Sequence, residues 1–268
     1  MKIAILGCGN MGLAYARSFL KYNLVTHENL LLIEKSAERA VQLAGMEIGK
    51  LTGAISNEIR DYDVVILSVK PQDFSAAEES LAGVLSEKNL VLSIMAGKKI
   101  AYISEALKHL NIVRAMPNSP AQLGMGITAY TASEKVNPKQ LRLAESLLNS
   151  TGRSVYLEDE NLLDAVTALS GSGPAYFFYI VQQMTEAGIK LGIEPSVASM
   201  LVKQTMLGSF HLLNQATQTP DELIKAVASK GGTTEAAFNV FKEKQFGAIL
   251  QEAIAAAENR AKELSSVK

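Results

Sequence analysis

The sequence predicts an α/β fold in which a doubly wound parallel sheet precedes an all-helical domain. Short, continuously apolar runs such as 3–6 alternate with helical stretches up to residue 158, and such runs are typical of parallel strands buried on both faces. Repeated strand–helix units predict helices on both sides of one sheet. Beyond Glu158 only helical patterns remain, which predicts two domains, 1–158 and 159–268.

The elements follow one another without an internal repeat. Predicted strands cover 2–6, 29–34, 63–69, 90–94 and 112–116, and two more, 126–131 and 153–157, extend the far edge of the sheet. The helices between them cover 11–22, 36–44, 74–85, 100–110 and 138–150, whereas 45–53 has no clear pattern. In the second domain, helices cover 161–169, 174–191, 195–214, 220–228, 234–243 and 246–264. Pro174, Pro195 and Pro220 lie near helix starts, where a missing N–H costs nothing.

Composition excludes several classes of function. The net charge of −1 shows no basic excess, so neither nucleic acid nor an anionic membrane is an expected partner. No stretch of about 20 apolar residues predicts a membrane span. The single cysteine, Cys8, excludes an intrachain disulfide and fits a reducing cytoplasm. The three histidines lack the spacing of metal ligands, so no metal site is expected.

The best-defined motif is the G-x-G-x-x-G turn of Gly7, Gly9 and Gly12, between the first strand and the first helix. In this context Gly7 permits the turn, Gly9 lets a pyrophosphate approach, and Gly12 lets the helix pack on the strand. Backbone N–H groups at the helix start favour a phosphate. Glu34 ends the next apolar run about 20 residues later, as in dinucleotide-binding proteins. We therefore expect a Rossmann-type dinucleotide site rather than a simple glycine turn.

Further cofactor contacts are expected where the other strands end, because ligands of open parallel sheets lie over the carboxyl ends of the strands. Besides 7–12, the segments at this edge are 34–36, 68–71, 94–97 and 116–120. Three of the five combine small residues with Pro or Gly, as the close approach of a dinucleotide requires. Each alone is typical of a turn, but their shared edge favours a binding crevice.

Two glycine-rich segments open helices in the second domain, 169–176 (LSGSGPAY) and 229–234 (SKGGTT). Both bring hydroxyls and free N–H groups to a helix N-terminus, which suits a carboxylate, although Ser and Thr also cap helices there. No catalytic histidine accompanies them, and the helix from Pro174 has no lysine before Lys190. A carbonyl substrate needs an acid, whereas an imine nitrogen enters already protonated. Beside a dinucleotide fold, the two loops favour a small anionic substrate.

These motifs resemble those of the pyrroline-5-carboxylate reductases over nearly the whole chain. The resemblance is carried by the G-x-G-x-x-G turn, the Val69-Lys70-Pro71 turn, RAMPNSP at 114–120, ALSGSGPAY at 168–176 and GGTT at 231–234. It implies a Rossmann domain and a helical domain that dimerises by interleaving helices, with the active site at the subunit interface and, in some relatives, rings of dimers. The implied reaction is hydride transfer from NAD(P)H to the C=N bond of 1-pyrroline-5-carboxylate, giving L-proline in the last step of proline biosynthesis.

The resemblance also implies roles for individual residues. The pyrophosphate would lie on Leu6, Gly7, Cys8, Gly9, Asn10, Met11 and Gly12. The adenosine side would meet Glu34, Lys35, Ser36 and Asn57, and the ribose and nicotinamide side Ser68, Val69, Lys70, Pro71, Ile94, Met95, Ala96 and Asn118. The substrate pocket would be shaped by Ser172, Gly173 and Pro174, with the carboxylate on the loop of Gly231, Gly232 and Thr233 through the N–H groups of the last two. The Thr234 hydroxyl, the one catalytic group implied, would meet the ring nitrogen.

The sequence departs from the family pattern at two positions. Lys230 stands where the family usually has proline before the two glycines, which loosens the loop and adds a cation near the carboxylate. Glu34 stands where many relatives have small or hydroxylated residues. A carboxylate there accepts bonds from ribose hydroxyls and repels a 2′-phosphate, so NADH is the expected cofactor, although Lys35 and Ser36 offer partners for a phosphate.

Three alternatives remain open at this stage. An imine reductase for another ring differs only in pocket shape. A β-hydroxyacid dehydrogenase normally uses a lysine on its long interdomain helix, which 174–189 lacks. A non-catalytic NAD-sensing protein needs the N-terminal turn but not the loop at 231–234. Apolar positions such as Phe177, Phe178 and Phe210 predict burial in the helical domain's own core or against a second copy.

Overall fold

A computed structural model describes residues 1–266, and its elements lie close to the predicted ones. The strands are β1 (Ile3–Leu6), β2 (Leu30–Ile33), β3 (Lys50–Thr52), β4 (Val64–Leu67), β5 (Leu90–Ser93), β6 (Ile112–Met116), β7 (Gly126–Ala132) and β8 (Gly152–Tyr156). The helices are α1 (Asn10–Lys21), α2 (Ala37–Ala44), α3 (Pro71–Val84), α4 (Ile100–Leu107), α5 (Pro138–Asn149), α6 (Leu162–Val166), α7 (Gly173–Lys190), α8 (Pro195–Gln215), α9 (Pro220–Val227), α10 (Thr233–Glu243) and α11 (Phe246–Ser266). Residues 267–268 of the predicted second domain lie outside the described residues.

All eight strands form one sheet in the order β3-β2-β1-β4-β5-β6-β7-β8. From β1 to β6 they pair in parallel; Ile3, for example, lies between Leu30 of β2 and Val64 of β4. The chain winds outward from β1 to β3 and then crosses back to place β4 beside β1. The strand order therefore reverses at β1 and β4, which is where such sheets form a ligand crevice. The predicted doubly wound sheet is confirmed.

The far edge of the sheet departs from the predicted all-parallel arrangement. β7 runs antiparallel to β6, with Ala115 opposite Tyr130, and β8 runs parallel to β7. The connection 117–125 is shorter than the dozen or so residues that a parallel crossover needs, so the chain returns antiparallel. The longer connection through α5 then brings β8 parallel to β7.

Alternate residues of the inner strands are buried on opposite faces of the sheet. In β1, Ile3 and Ile5 join the core formed with α1, α2 and α5, whereas Ala4 and Leu6 join the core formed with α3 and α4. Because helices cover both faces, the inner strands are apolar throughout rather than alternating. The short edge strand β3 has no buried residue, and the sequence pattern accordingly left it unassigned.

The chain divides into two compact units. The first comprises Met1–Ser172 together with the end of the chain from Ala257, and the second comprises Gly173–Ala256. The helix α6 belongs to the first unit because it packs on β6 and β7. The domain boundary between residues 158 and 159 stays a prediction.

The second unit contains α7 to α10 and the first part of α11. Its α7 and α8 pack together, and the rings of Phe177 and Phe210 meet edge to face at 5.3 Å. Several large apolar side chains of this unit are nevertheless exposed, among them Phe178 at 69% and Met200 at 62%. Exposed apolar surface of this kind is typical of a protein interface. Across residues 1–266, no helix is both long enough and apolar enough to cross a membrane.

Candidate functional site

The G-x-G-x-x-G turn has the backbone geometry that its spacing predicts. Gly7 has a φ of +88°, and a Cβ there would lie 2.8 Å from the Ser68 carbonyl oxygen. At Gly12 a Cβ would lie 2.3 Å from the Gly7 carbonyl oxygen. Gly9 faces open space, since a Cβ there would meet nothing within 4 Å. Two of the glycines therefore close the turn against the sheet, and the third leaves room in front of α1.

The start of α1 fits a phosphate. Gly9 is the N-cap residue of α1 and supplies no side-chain hydrogen bond to the helix. The first N–H groups of a helix have no intrahelical partner, and they lie at the positive end of the helix dipole. The open space at Gly9 lies in front of these groups, so the residues present can hold a dinucleotide pyrophosphate.

Glu34 is fixed at the end of β2 by two backbone N–H groups. Its Oε2 accepts a hydrogen bond from the Cys8 N–H at 3.0 Å, and its Oε1 accepts one from the Ser36 N–H at 2.9 Å. Arg39 donates from Nε to the Cys8 carbonyl oxygen at 3.1 Å. Ser36 caps α2, because its Oγ accepts the Arg39 N–H at 3.3 Å. The turns after β1 and β2 are thus joined through one carboxylate.

A cleft of about 680 Å³ lies over the carboxyl ends of β1 to β4. It brings together several predicted cofactor residues, namely Leu6, Gly7, Glu34, Lys35, Ser36 and Val69. It is also lined by residues that sequence reasoning missed, namely Gly53, Ala54, Ile55, Gln72, Asp73, Ala76, Ala77, Ser80 and Ile33. The first three follow β3, so the sequence would have indicated them only if this short edge strand had been recognised.

The remaining predicted cofactor residues are divided between this edge of the sheet and more distant positions. Ser68 follows β4 and donates its N–H to the Leu6 carbonyl oxygen at 2.8 Å. Lys70 and Pro71 open α3, and Met95 is buried in the segment after β5 that also contains Ile94 and Ala96. Asn10 and Met11 begin α1. Asn57 is exposed on the 3₁₀ turn Asn57–Asp61 and is not among the lining residues of the 680 Å³ cleft.

Asn118 uses both ends of its side-chain amide within the protein. Its Oδ1 accepts the Ile127 N–H at 3.0 Å, and its Nδ2 donates to the Ser170 hydroxyl at 3.3 Å. The side chain therefore links the loop after β6 to β7 and to the segment before α7. This arrangement fixes the position of the loop that was predicted to meet the nicotinamide.

The first glycine-rich segment is not a free loop. Residues Thr167–Gly171 form a π-helical turn that continues α6, and Ser172 donates its N–H to the Thr167 carbonyl oxygen at 2.9 Å. A Cβ at Gly171 would lie 2.6 Å from the Met116 Cε, so this glycine permits close packing on the last residue of β6. π-Turns inside helices often occur at functional sites. Gly173 and Pro174 then begin α7.

The second glycine-rich segment opens α10. Gly231 has a φ of +73° and donates its N–H to the Glu235 Oε2 at 2.7 Å. The Gly232 N–H donates to the Ser229 carbonyl oxygen at 3.0 Å. Thr233 and Thr234 occupy the first turn of the helix, where N–H groups have no intrahelical partner. This loop can therefore bind a small anion at the helix start and place a hydroxyl next to it.

The thiol of Cys8 is unsuited to nucleophilic chemistry. Burial raises its pKa to about 12, and the negative charge of Glu34 adds to the effect. Since the thiolate is the reactive form, the group is inert near neutral pH. Within residues 1–266, no cluster of three potential metal ligands is present.

Sequence reasoning missed a buried ion-pair network next to the loop after β6. Arg114 of β6 bonds Glu160 and Asp164, and its side chain is 3% exposed. Arginine is rarely buried unless it is paired. A charged residue within the apolar run 112–116 was the signal that indicated a partner, but its partners are distant in sequence.

Comparisons with known proteins extend over the whole chain. A family model described as pyrroline-5-carboxylate reductase dimerisation matches residues 160–264, and one described as NADP oxidoreductase, coenzyme F420-dependent, matches residues 2–97. The pyrroline-5-carboxylate reductase of Pseudomonas aeruginosa is 38% identical over 98% of this chain and 97% of its own length.

Solved structures of reductases with this name are also similar to the chain over nearly its whole length. A pyrroline-5-carboxylate reductase from Coxiella burnetii is 33% identical, with a TM-score of 0.89 over 99% of both chains. Plasmodium falciparum pyrroline carboxylate reductase, solved with NADP bound, is 28% identical, with a TM-score of 0.88 over 99% of this chain and 98% of its own.

Proposed function

The chain belongs to the pyrroline-5-carboxylate reductase family, and we propose that it reduces the C=N bond of 1-pyrroline-5-carboxylate to give L-proline. The proposal depends on one observation above all: the similarity to these reductases includes the dinucleotide turn and both glycine-rich segments in a single chain. A NAD-sensing protein would need only the first of these. The chain is accordingly an oxidoreductase that acts on a CH–NH bond.

In this proposal the first unit binds NAD(P)H. Gly7 and Gly12 shape the turn, and the N–H groups at the start of α1 hold the pyrophosphate over Gly9. The bound nicotinamide supplies the hydride. The segments after β4, β5 and β6 orient that end of the cofactor, with Ser68 and Asn118 fixed by the hydrogen bonds described above.

The loop before α10 holds the substrate. The carboxylate of the substrate lies against the N–H of Thr233, at the positive end of the helix dipole. The N–H of Gly232, assigned to the same carboxylate, must first exchange its bond to the Ser229 carbonyl oxygen. The residues Ser172, Gly173 and Pro174 shape the pocket.

The Thr234 hydroxyl accepts a hydrogen bond from the protonated ring nitrogen. As the imine carbon is reduced, this nitrogen becomes a neutral amine, so no anion develops and no strong acid is required. Positioning of the ring is then the main task of the chain's own residues.

Turnover tests this assignment directly. Purified protein, NADH and pyrroline-5-carboxylate should lose absorbance at the NADH band and form proline. Thr234→Ala should lower kcat/KM by about tenfold to a hundredfold, because the ring nitrogen loses its partner. Thr234→Ser, which keeps the hydroxyl, is the matched control. Bound NADH without turnover would favour the sensor, and full activity of Thr234→Ala would refute the role of that hydroxyl.

We further propose that NADH is preferred over NADPH. The support is Glu34, whose carboxylate is held in the cleft by the Cys8 and Ser36 N–H groups and would repel a 2′-phosphate. The expected result is a higher kcat/KM with NADH, measured with both cofactors at one ionic strength. Glu34→Ser should narrow that difference by removing the repulsion. Equal values in the unchanged protein, or a preference for NADPH, would refute this proposal.

The protein forms an oligomer, as the match to a dimerisation domain indicates. We propose a dimer at least, with rings of dimers as the larger assembly, and light scattering after size exclusion would distinguish them. A cytoplasmic location is part of the same proposal, supported by the free thiol of Cys8, which suits a reducing compartment.

A further inference from the structure

Arg114 joins segments that are far apart in sequence. Its Nη1 lies 2.9 Å from the Glu160 Oε1, and its Nη2 lies 3.3 Å from the Asp164 Oδ1. The side chains of Arg114 and Asp164 are 3% and 4% exposed. The pair is therefore almost completely removed from water, and its directional hydrogen bonds fix the backbone of β6 relative to α6.

The last turn of α11 extends this network. Ser265 donates its hydroxyl to the same Asp164 Oδ1 at 2.8 Å. On the other side, the Glu160 Oε1 accepts the N–H of Ile100, the first residue of α4, at 2.8 Å. The chain of contacts thus runs from the end of α11 through Asp164 and Arg114 to Glu160 and the start of α4.

The same turn of α11 contacts the loop after β5. Gly97 has a φ of +71°, and a Cβ there would lie 3.2 Å from the Leu264 Cβ. This loop contains Ile94 and Ala96, which are assigned to the ribose and nicotinamide side. Arg114 itself lies near the end of β6, four residues before Asn118, which is in the other loop assigned to that side. The last turn of α11 is therefore linked to both loops: directly to the loop after β5, and through Asp164 and Arg114 to the loop after β6.

We propose that the C-terminal turn of α11 positions the nicotinamide end of the cofactor, through Asp164 and Arg114 to one loop and through Leu264 and Gly97 to the other. This inference rests on the proposed function. A buried ion pair is a weak source of stability, because desolvation offsets most of its attraction. Its directional bonds are better suited to fixing position, which makes Arg114, Asp164 and Ser265 positioning residues.

Two variants of the full-length chain test the proposal by each removing one link. Asp164→Asn removes the charge that faces Arg114, and Ser265→Ala removes the hydroxyl bond. The chain contains no tryptophan, so the emission of bound NADH or NADPH, whichever the unchanged protein binds more tightly, reports the nicotinamide environment without tryptophan background. Melting temperature, the Kd of ADP and kcat are measured in parallel.

We expect kcat to fall by about tenfold or more in Asp164→Asn, since a displacement of about 1 Å can cost about a hundredfold. Ser265→Ala should show a smaller fall. In both, the emission of the bound nicotinamide should shift toward that of the free cofactor, while the Kd of ADP, which reports only the adenine side, stays unchanged. Ser265→Thr, which keeps the hydroxyl, should behave as the unchanged protein.

Arg260→Ala is the matched control on the same helix. Its guanidinium lies 2.6 Å from Glu263 in an exposed pair, outside the network, so emission and kcat should not change. The proposal is overturned if both network variants keep the original emission and kcat, even with a lower melting temperature, because the network would then be purely structural.

Failure of the proposed function gives a different result. The unchanged protein would then bind cofactor without forming proline, and the emission of the two variants would still decide the positioning role. If the unchanged protein binds neither NADH nor NADPH, both proposals are refuted.

Discussion

The glycines of the first turn are required for two different reasons, the close packing of the backbone and the binding of a ligand. Gly7 and Gly12 are required by the folded backbone, since a Cβ at either position would lie less than 3 Å from a carbonyl oxygen. Gly9 has open space around it and no such internal constraint. Apart from its place as the N-cap residue of α1, glycine is required here by the pyrophosphate that the turn is proposed to hold.

Alanine substitutions should separate these constraints. Gly12→Ala should lower the free energy of unfolding by about 1–3 kcal/mol, because the added methyl group overlaps the Gly7 carbonyl oxygen. Gly9→Ala should lower it by no more than about 1 kcal/mol, the effect of a poorer N-cap residue without steric conflict, yet weaken the binding of NADH. Urea denaturation and fluorescence titration measure the two effects. Equal stability losses in both variants would contradict this distinction.

Cys8 is a second residue whose surroundings determine its chemistry. Burial raises the thiol pKa to about 12 in the folded protein from a reference value of 9.0. Between these values the unfolded chain has lost the thiol proton and the folded chain retains it. The contribution of this group to stability is therefore complete below pH 9 and is lost as the pH rises toward 12.

The free energy of unfolding should thus fall with rising pH above pH 9, by up to about 1.4 kcal/mol per pH unit from this thiol alone. Cys8→Ala should show a shallower decline, since the thiol no longer contributes to it. Denaturation curves from pH 8 to pH 11 on the two proteins provide the comparison. Parallel pH profiles would show that the thiol does not contribute.

At the scale of elements, connection length explains the main difference between prediction and structure. The apolar runs of β1 to β6 predicted parallel strands because helices cover both faces. The same reasoning failed for β7, since a strand buried on both faces has the same pattern in either direction. The short connection 117–125 was visible in the sequence and would have indicated the antiparallel return.

The two glycine-rich segments of the sequence have different structures. The opening of α10 is a loop with a left-handed glycine, Gly231, as its composition suggests. The segment before α7 is instead a π-turn continuing from α6, packed through Gly171 against Met116. Both segments contain glycine and serine. Their composition therefore did not distinguish an open loop from a helical turn packed closely on a strand.

At the scale of the whole molecule, the second unit carries the features of an assembly surface. Phe178 and Met200 are mostly exposed in the single chain, although burial of such side chains is strongly favourable. The match to a dimerisation domain spans residues 160–264 and so includes α7 to α10. These helices are the expected contact surface between copies of the chain.

A charged substitution at this surface should dissociate the oligomer. Phe178→Asp removes a large apolar group, 69% exposed in the single chain, and places an unpaired charge in the expected interface. Light scattering should then give the mass of a single chain, with loss of turnover. Val41→Asp on α2, a site 76% exposed in the first unit, is the matched control and should leave mass and activity unchanged. An unchanged mass for Phe178→Asp would refute the assignment.

The sequence by itself determined the features that depend on neighbouring residues. The apolar runs of β1, β2, β4, β5 and β6, the glycine turn at Gly7, the N-cap at Ser36 and most helices follow from local backbone preference and from burial of adjacent residues. The family motifs also indicated the reaction, because they are short segments whose residue types are tied to one chemistry.

Only the tertiary structure decided which distant residues meet. The bonds of Arg114 to Asp164 and of Ser265 to the same carboxylate join residues separated by 50 and 101 positions, and the Glu34 carboxylate reaches back 26 positions to Cys8. Such contacts depend on how the strands order and the helices pack, since no local preference selects one distant partner over another. The lining of the cofactor cleft and the network behind it are therefore properties of the fold.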